Sequence, residues 1–261
     1  MSFKPLNTRD ETTSYRKTLL FSRPGWGKTT QAKHYKAKYG KGFIISGEAG
    51  LSSIRSEGID YLPFKSFDGP VIPDKGIYSF TSICNAILSK DFVDAGYKWI
   101  MLDSLTELSD LCFEWAEAKA IANAAATGKK QNGFEVWGQY KEKMVGACKF
   151  IRDLPYHVII TSLVKESEDD NGDSIRLPLI QGNAVQSQIP GIFDNVFCGV
   201  AKDVKTPDGK VETKRFVVTG AYAGWQGKVR DEHNVVQLIE ETGDVTSILS
   251  KIEVAEKGDK K

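Results

Sequence analysis

Within nine residues, Ser22-Arg23-Pro24-Gly25-Trp26-Gly27-Lys28-Thr29-Thr30, the chain gathers what is needed to grip a polyphosphate. Glycines let backbone N–H groups close around an anion, a lysine reaches the terminal phosphates, and the hydroxyl that follows it can stand on Mg²⁺. Pro24, Gly25, Trp26, Gly27, Lys28, Thr29 and Thr30 are therefore the candidate nucleotide-binding residues, and Lys28 is also a candidate catalytic residue. Ser22 occupies the place of the first glycine in the pattern G-x-x-x-x-G-K-[ST], and its small side chain keeps the turn feasible. A helix expected to start at Thr29 adds its positive dipole end to the same anion. Trp26 is expected either to cover the loop or to pack on a neighbouring subunit.

Two acids complete the chemistry. Residues 98–104, Lys98-Trp99-Ile100-Met101-Leu102-Asp103-Ser104, read as a buried strand ending in a carboxylate. On a parallel strand adjacent to the phosphate-loop strand, Asp103 would hold Mg²⁺ through water, so Thr29 and Asp103 are the candidate metal residues. Residues 43–50 form a second apolar strand that stops at Glu48. A carboxylate there can orient and deprotonate the water that attacks a terminal phosphate, which makes Glu48 the candidate base. The residue after Asp103 is Ser104 and not a second glutamate, which favours a base on the neighbouring strand.

These residues need a scaffold, and apolar strands alternate with helical stretches as in a parallel sheet covered on both faces. Strands are expected at 17–21, 42–46, 61–67, 99–102 and 157–163, with helices at 29–39, 81–90, 105–127 and 134–153. Residues 195–200 and 215–219 read as antiparallel strands joined around Thr206-Pro207-Asp208-Gly209. The acidic stretch 166–173 reads as a solvated turn and 128–133 as a mobile loop. One domain is expected over residues 16–254, with a polar leader at 1–15 and a charged disordered tail at 255–261.

Composition bounds the class further. The 261 residues, 41% hydrophobic and 26% charged, suffice for one large core. Lys plus Arg number 35 and Asp plus Glu 34, so no global field draws the protein to nucleic acid or to an acidic membrane. Any polyanion site must be local, as in Lys129-Lys130, Lys141 with Lys143, or Lys202, Lys205, Lys210, Lys214 and Arg215. Cys84, Cys112, Cys148 and Cys198 are far apart and read as reduced core residues. With no signal region and no membrane-length apolar run, a soluble cytoplasmic protein is expected.

Residues 24–30, the strand-end Glu48 and the stretch Trp99-Ile100-Met101-Leu102-Asp103-Ser104-Leu105-Thr106-Glu107-Leu108 together resemble the RecA/RadA recombinase core. Most closely they resemble the phage-encoded RecA-like ATPases, AAA-type phage nucleotide-binding proteins that include single-strand annealing proteins of the Sak group. The resemblance spans residues 17–219. It implies an α/β fold, a RecA-like P-loop NTPase core whose mostly parallel sheet is flanked by helices and followed by a C-terminal antiparallel hairpin. It also implies ATP and Mg²⁺ as cofactors, ATP hydrolysis between the subunits of a ring or filament, single-stranded DNA along the axis, and phage replication or recombination proteins as partners.

By the same resemblance Thr161 and Ser162 take the place of the polar sensor, where recombinases usually carry Asn-Gln. The segment from Leu163 to Gly182-Asn183-Ala184 lies where that family has a mobile DNA-binding loop, although here it carries Asp169, Asp170 and Asp173. Lys202 and Lys205 lie on a hairpin like the one from which recombinase lysines reach a neighbour's ATP, and Lys228 and Arg230 are a second candidate source of such a cation.

Three uses of the phosphate loop stay open on the sequence. The first is an ATPase of DNA recombination, annealing or replication. The second is a protein-remodelling factor such as a helicase loader. The third is a small-molecule kinase, for which Arg176 is too isolated to form an arginine-bearing lid.

Overall fold

The computed structural model describes residues 15–48, 50–128, 130, 132–168 and 171–258. The expected leader, apart from Tyr15, therefore lies outside the described residues, as do Lys129, Asp169, Asp170 and residues 259–261 of the expected tail.

Strand β1 (Lys17–Ser22) is buried along its whole length, because it has parallel neighbours on both sides. These are β5 (His157–Glu168) and β7 (Asn195–Lys205). Outward from β5 come β4 (Trp99–Asp103), β2 (Gly42–Ser46) and the edge strand β3 (Asp60–Pro63), all parallel. Outward from β7, β8 (Val211–Val218) and β11 (Ile239–Glu240) run antiparallel. The result is a mostly parallel α/β sheet with an antiparallel β7–β8 hairpin, the architecture of a P-loop ATPase fold.

Strands buried on both faces are apolar along most of their length, and alternation then sends successive side chains to opposite sides. Leu19 and Phe21 join one cluster with Ile100, Leu102, Val158 and Ile160. That face is covered by α2 (Phe80–Ile87), α4 (Leu105–Thr127), α5 (Gly133–Asp153) and α6 (Asn183–Ile192). Leu20, Ile44, Met101 and Ile159 join the opposite cluster, beneath α1 (Gln31–Tyr39) and α7 (Val245–Gly258).

Several boundaries differ from the sequence reading. Asp103 is not on the strand next to β1, because β5 lies between β1 and β4. The helix after the phosphate loop starts at Gln31 and not at Thr29, since residues 28–30 form a tighter turn whose carbonyls accept from the N–H groups of Gln31, Ala32 and Lys33. The helix expected at 81–90 is broken, with Ser89 capping a separate α3 (Lys90–Asp94) by accepting from Phe92 N–H at 3.2 Å. Strand β5 runs on to Glu168 and pairs with the antiparallel β6 (Ser174–Pro178), so the start of the acidic stretch is sheet and not turn. Helix α7 extends to Gly258, which makes residues 255–258 of the expected tail helical. The small strands β9 (Ala221–Tyr222) and β10 (Trp225–Gln226) pack beside β6.

Among the described residues no helix is long and apolar enough to cross a membrane. The four cysteines are free, and Cys112, Cys148 and Cys198 are buried.

Candidate functional site

The phosphate loop leaves the C-terminal end of β1 and is held from several directions. Gly27 sits at φ 107°, and a Cβ there would meet the Thr30 hydroxyl at 2.8 Å, so a side chain is excluded on both counts. The Gly27 carbonyl accepts from Thr30 Oγ1 at 2.7 Å and from Gln31 Nε2 at 3.0 Å. Trp26 is 1% exposed and donates through its indole N–H to Val200 O at 3.2 Å. It therefore packs within the chain, the first of its two expected placements. Pro24 and Gly25 form the exposed crest.

Lys28 is buried, with its ammonium resting on Ser22 O and Ser22 Oγ at 3.4 Å and on Arg23 O at 3.3 Å. The Ser22 hydroxyl, which replaces the pattern's first glycine, thus becomes one of its acceptors. Burial lowers the Lys28 pKa, while the carboxylates of Glu48 and Asp103 pull it back up.

Thr29 Oγ1 donates to Asp103 Oδ2 at 2.7 Å. The other carboxylate oxygen, Oδ1, accepts from Thr161 Oγ1, whose strand β5 fills the gap between β1 and β4. Asp103 is 1% exposed, and burial raises its pKa against the opposing effect of the two threonine hydroxyls. A hydroxyl and a carboxylate, both hard oxygen donors beside a lysine on a phosphate-type loop, suit Mg²⁺.

Glu48 follows β2, and β2 pairs directly with β4. Its backbone is tied to the acid strand, since the N–H groups of Gly47 and Glu48 donate to Asp103 O at 2.7 and 3.3 Å. Its carboxylate accepts a hydrogen bond from Ser104 Oγ. Glu48 and Asp103 therefore stand at the same end of adjacent strands, and Lys28 feels the field of both. Ser162 points to the other face of β5, where its hydroxyl meets Thr106 Oγ1 at 3.1 Å.

The structure does not bring the basic candidates to this constellation. Lys202 and Lys205 are exposed on the β7–β8 hairpin, which continues past the end of β1, with Lys202 opposite Lys214. Lys228 and Arg230 lie by the start of β7: the backbone of Lys228 bridges to Val196, and Arg230 pairs with Asp194 at 2.9 Å. Sequence reasoning missed Gln31, which is fully buried and joins Gly27 O, Gly243 O and the Val245 N–H, so tying the phosphate loop to the start of α7. It also gave Ser104 no role, although the serine after a strand-end acid was visible.

Fold and site together define a P-loop nucleotide-binding core of the ATPase type. The chain belongs to the AAA domain family (AAA_24), whose model matches residues 14–230. No curated protein matches it. Among solved structures it is similar to the Legionella pneumophila ATPase DotB at 12% identity, over 82% of this chain and 49% of that one, with a TM-score of 0.28. The chain thus spans about half the length of DotB.

Proposed function

We propose that the protein binds ATP with Mg²⁺ and hydrolyses it, and that this cycle acts on single-stranded DNA in recombination, annealing or replication, in the manner of the phage RecA-like ATPases its motifs resemble. The observation that supports the nucleotide part of the reading is the contact of Thr29 with Asp103 at 2.7 Å, beside a Glu48 that accepts from Ser104; the DNA part rests on the resemblance of the motifs. In this mechanism the backbone of residues 24–30 and the Lys28 ammonium bind the phosphates. Thr29 and, through water, Asp103 would hold Mg²⁺, which would supply positive charge against that developing on the phosphate oxygens. Glu48 accepts the proton of the attacking water, with Ser104 fixing its orientation. Thr161 keeps the Asp103 carboxylate aimed at the loop.

Hydrolysis in an oligomer would be completed by a cation from a neighbour. Lys202 and Lys205 suit that role, since both are exposed and neither has an ion-pair partner among the described residues. The near-neutral total charge requires DNA contacts to be local.

Steady-state ATP hydrolysis with and without single-stranded DNA, using Lys28→Ala as the blank, tests the reading. Stimulation by DNA that vanishes in Lys28→Ala supports it. Turnover indifferent to DNA moves the partner to a protein and the function to remodelling, the runner-up. Glu48→Gln is expected to bind ATP and to lose about two or more orders of magnitude in turnover.

A further inference from the structure

Arg215 lies on β8 in the basic hairpin, where sequence position alone would assign it to a polyanion outside the protein. The residue is exposed, but its guanidinium reaches across to the chain's own phosphate loop. Arg215 Nε donates to the backbone carbonyl of Trp26, inside the phosphate loop, at 2.9 Å. The stem passes Gly243 so closely that a Cβ there would meet Arg215 Cδ at 3.1 Å. Gly243 in turn accepts from Gln31 Nε2 at 2.8 Å, and Gln31 also donates to Gly27 O. Among the described residues Arg215 has no carboxylate partner.

The consequence follows from peptide geometry. In a planar trans peptide the C=O and the following N–H point in opposite directions. Holding Trp26 O from outside the loop turns the Gly27 N–H the other way, and holding Gly27 O with Thr30 and Gln31 does the same for the Lys28 N–H. Two successive N–H groups are thereby fixed in direction, as an anion nest requires. A loop of glycines would otherwise sample many conformations and lose entropy when it closes on a phosphate.

We infer that Arg215 is a positioning residue for nucleotide binding: from β8 it fixes the Trp26–Gly27 peptide so that the phosphate loop is preformed before the ligand arrives. Gln31 does the same for the next peptide. The inference rests on the ATP-binding reading above and deepens it, because the role assigned to Arg215 is exerted through the loop's own backbone.

The test compares wild type, Lys28→Ala, Arg215→Met and Arg215→Lys by calorimetric titration with ADP and with ATP, together with hydrolysis kinetics. Methionine keeps the packing of the stem and removes the donor. Expected for Arg215→Met is roughly tenfold weaker binding of both nucleotides and a KM raised to match, with kcat at saturation within about twofold of wild type. Arg215→Lys, which keeps one donor, is expected to recover most of the affinity, a rescue that loss of general stability would not give. Wild-type binding that is unchanged in Arg215→Met overturns the inference and leaves the nucleotide reading standing. A fall in kcat at unchanged KM also overturns it, since Arg215 would then act on the transition state. If the wild type itself binds neither nucleotide, the underlying reading fails, which the wild-type titration shows separately.

Discussion

Thr29 Oγ1 and Asp103 Oδ2 lie 2.7 Å apart although β1 and β4, the strands that lead to them, do not touch. Strand β5 separates the two, and the contact closes above it because Thr161 of β5 donates to the second oxygen of the same carboxylate. One buried acid is thus held by hydroxyls from two different elements, which leaves it little freedom to turn.

This arrangement has a pH signature. Burial raises the Asp103 pKa, and the hydrogen bonds from Thr161 and Thr29 oppose that rise. Thr161→Val removes one of them at nearly constant volume, so the carboxylate becomes easier to protonate. The acid limb of the pH profile for ATP hydrolysis should move to higher pH, and an unchanged limb would show that Asp103 does not control it.

Lys28 offers a second pH test. Its pKa in the free protein is lowered by burial, only partly offset by Glu48 and Asp103, and a bound polyphosphate adds further negative charge. At alkaline pH nucleotide binding should therefore take up protons. Titrations in buffers of different ionisation enthalpy should give heats that diverge as pH rises, and identical heats in all buffers would contradict the assignment.

Trp26 and Gly199 set the seat of the phosphate loop. A Cβ on Gly199 would lie 2.6 Å from the indole of Trp26 and 2.9 Å from Ser22 Cβ. Gly199→Ala must displace the tryptophan or the loop, at a cost of about 1–3 kcal/mol by analogy with overpacked cores. Chemical denaturation should register that loss, and nucleotide affinity should fall with it.

Acid sensitivity should centre on His157. Burial lowers its pKa to about 4, and its Nδ1 accepts the Arg16 N–H at 3.1 Å while Tyr39 stacks on the ring at 3.8 Å. The unfolded chain binds this proton near pH 6.5, so stability is full above that pH and is lost as pH falls towards 4. Roughly 2 kcal/mol is at stake after discounting for partial exposure. Denaturation midpoints measured from pH 7 to pH 4.5 should show a steeper decline in wild type than in His157→Asn, whose Oδ1 keeps an acceptor for Arg16.

The sequence by itself determined the parts whose physics is local. Glycines and Lys28-Thr29 in one turn, Glu48 and Asp103 at strand ends, and the strong turn at residues 206–209 were all legible, because turn chemistry and apolar runs are set by neighbouring residues. The α/β class followed from the alternation of elements. Only the tertiary structure decided which strands are neighbours, and hence that Thr161 would bind the second oxygen of the carboxylate that Thr29 reaches. It also decided that Ser104 would hold Glu48, that Trp26 would be buried against Gly199, and that Arg215 would face its own phosphate loop. Helices α6 and α7 went unread, the first because Pro190 and Gly191 interrupt its pattern and the second because its apolar stripe matters only where it meets α1. Contacts of this kind join residues more than 200 positions apart, as Gln31 joins Gly243 at a separation of 212, and sequence periodicity carries no information about pairings at that range.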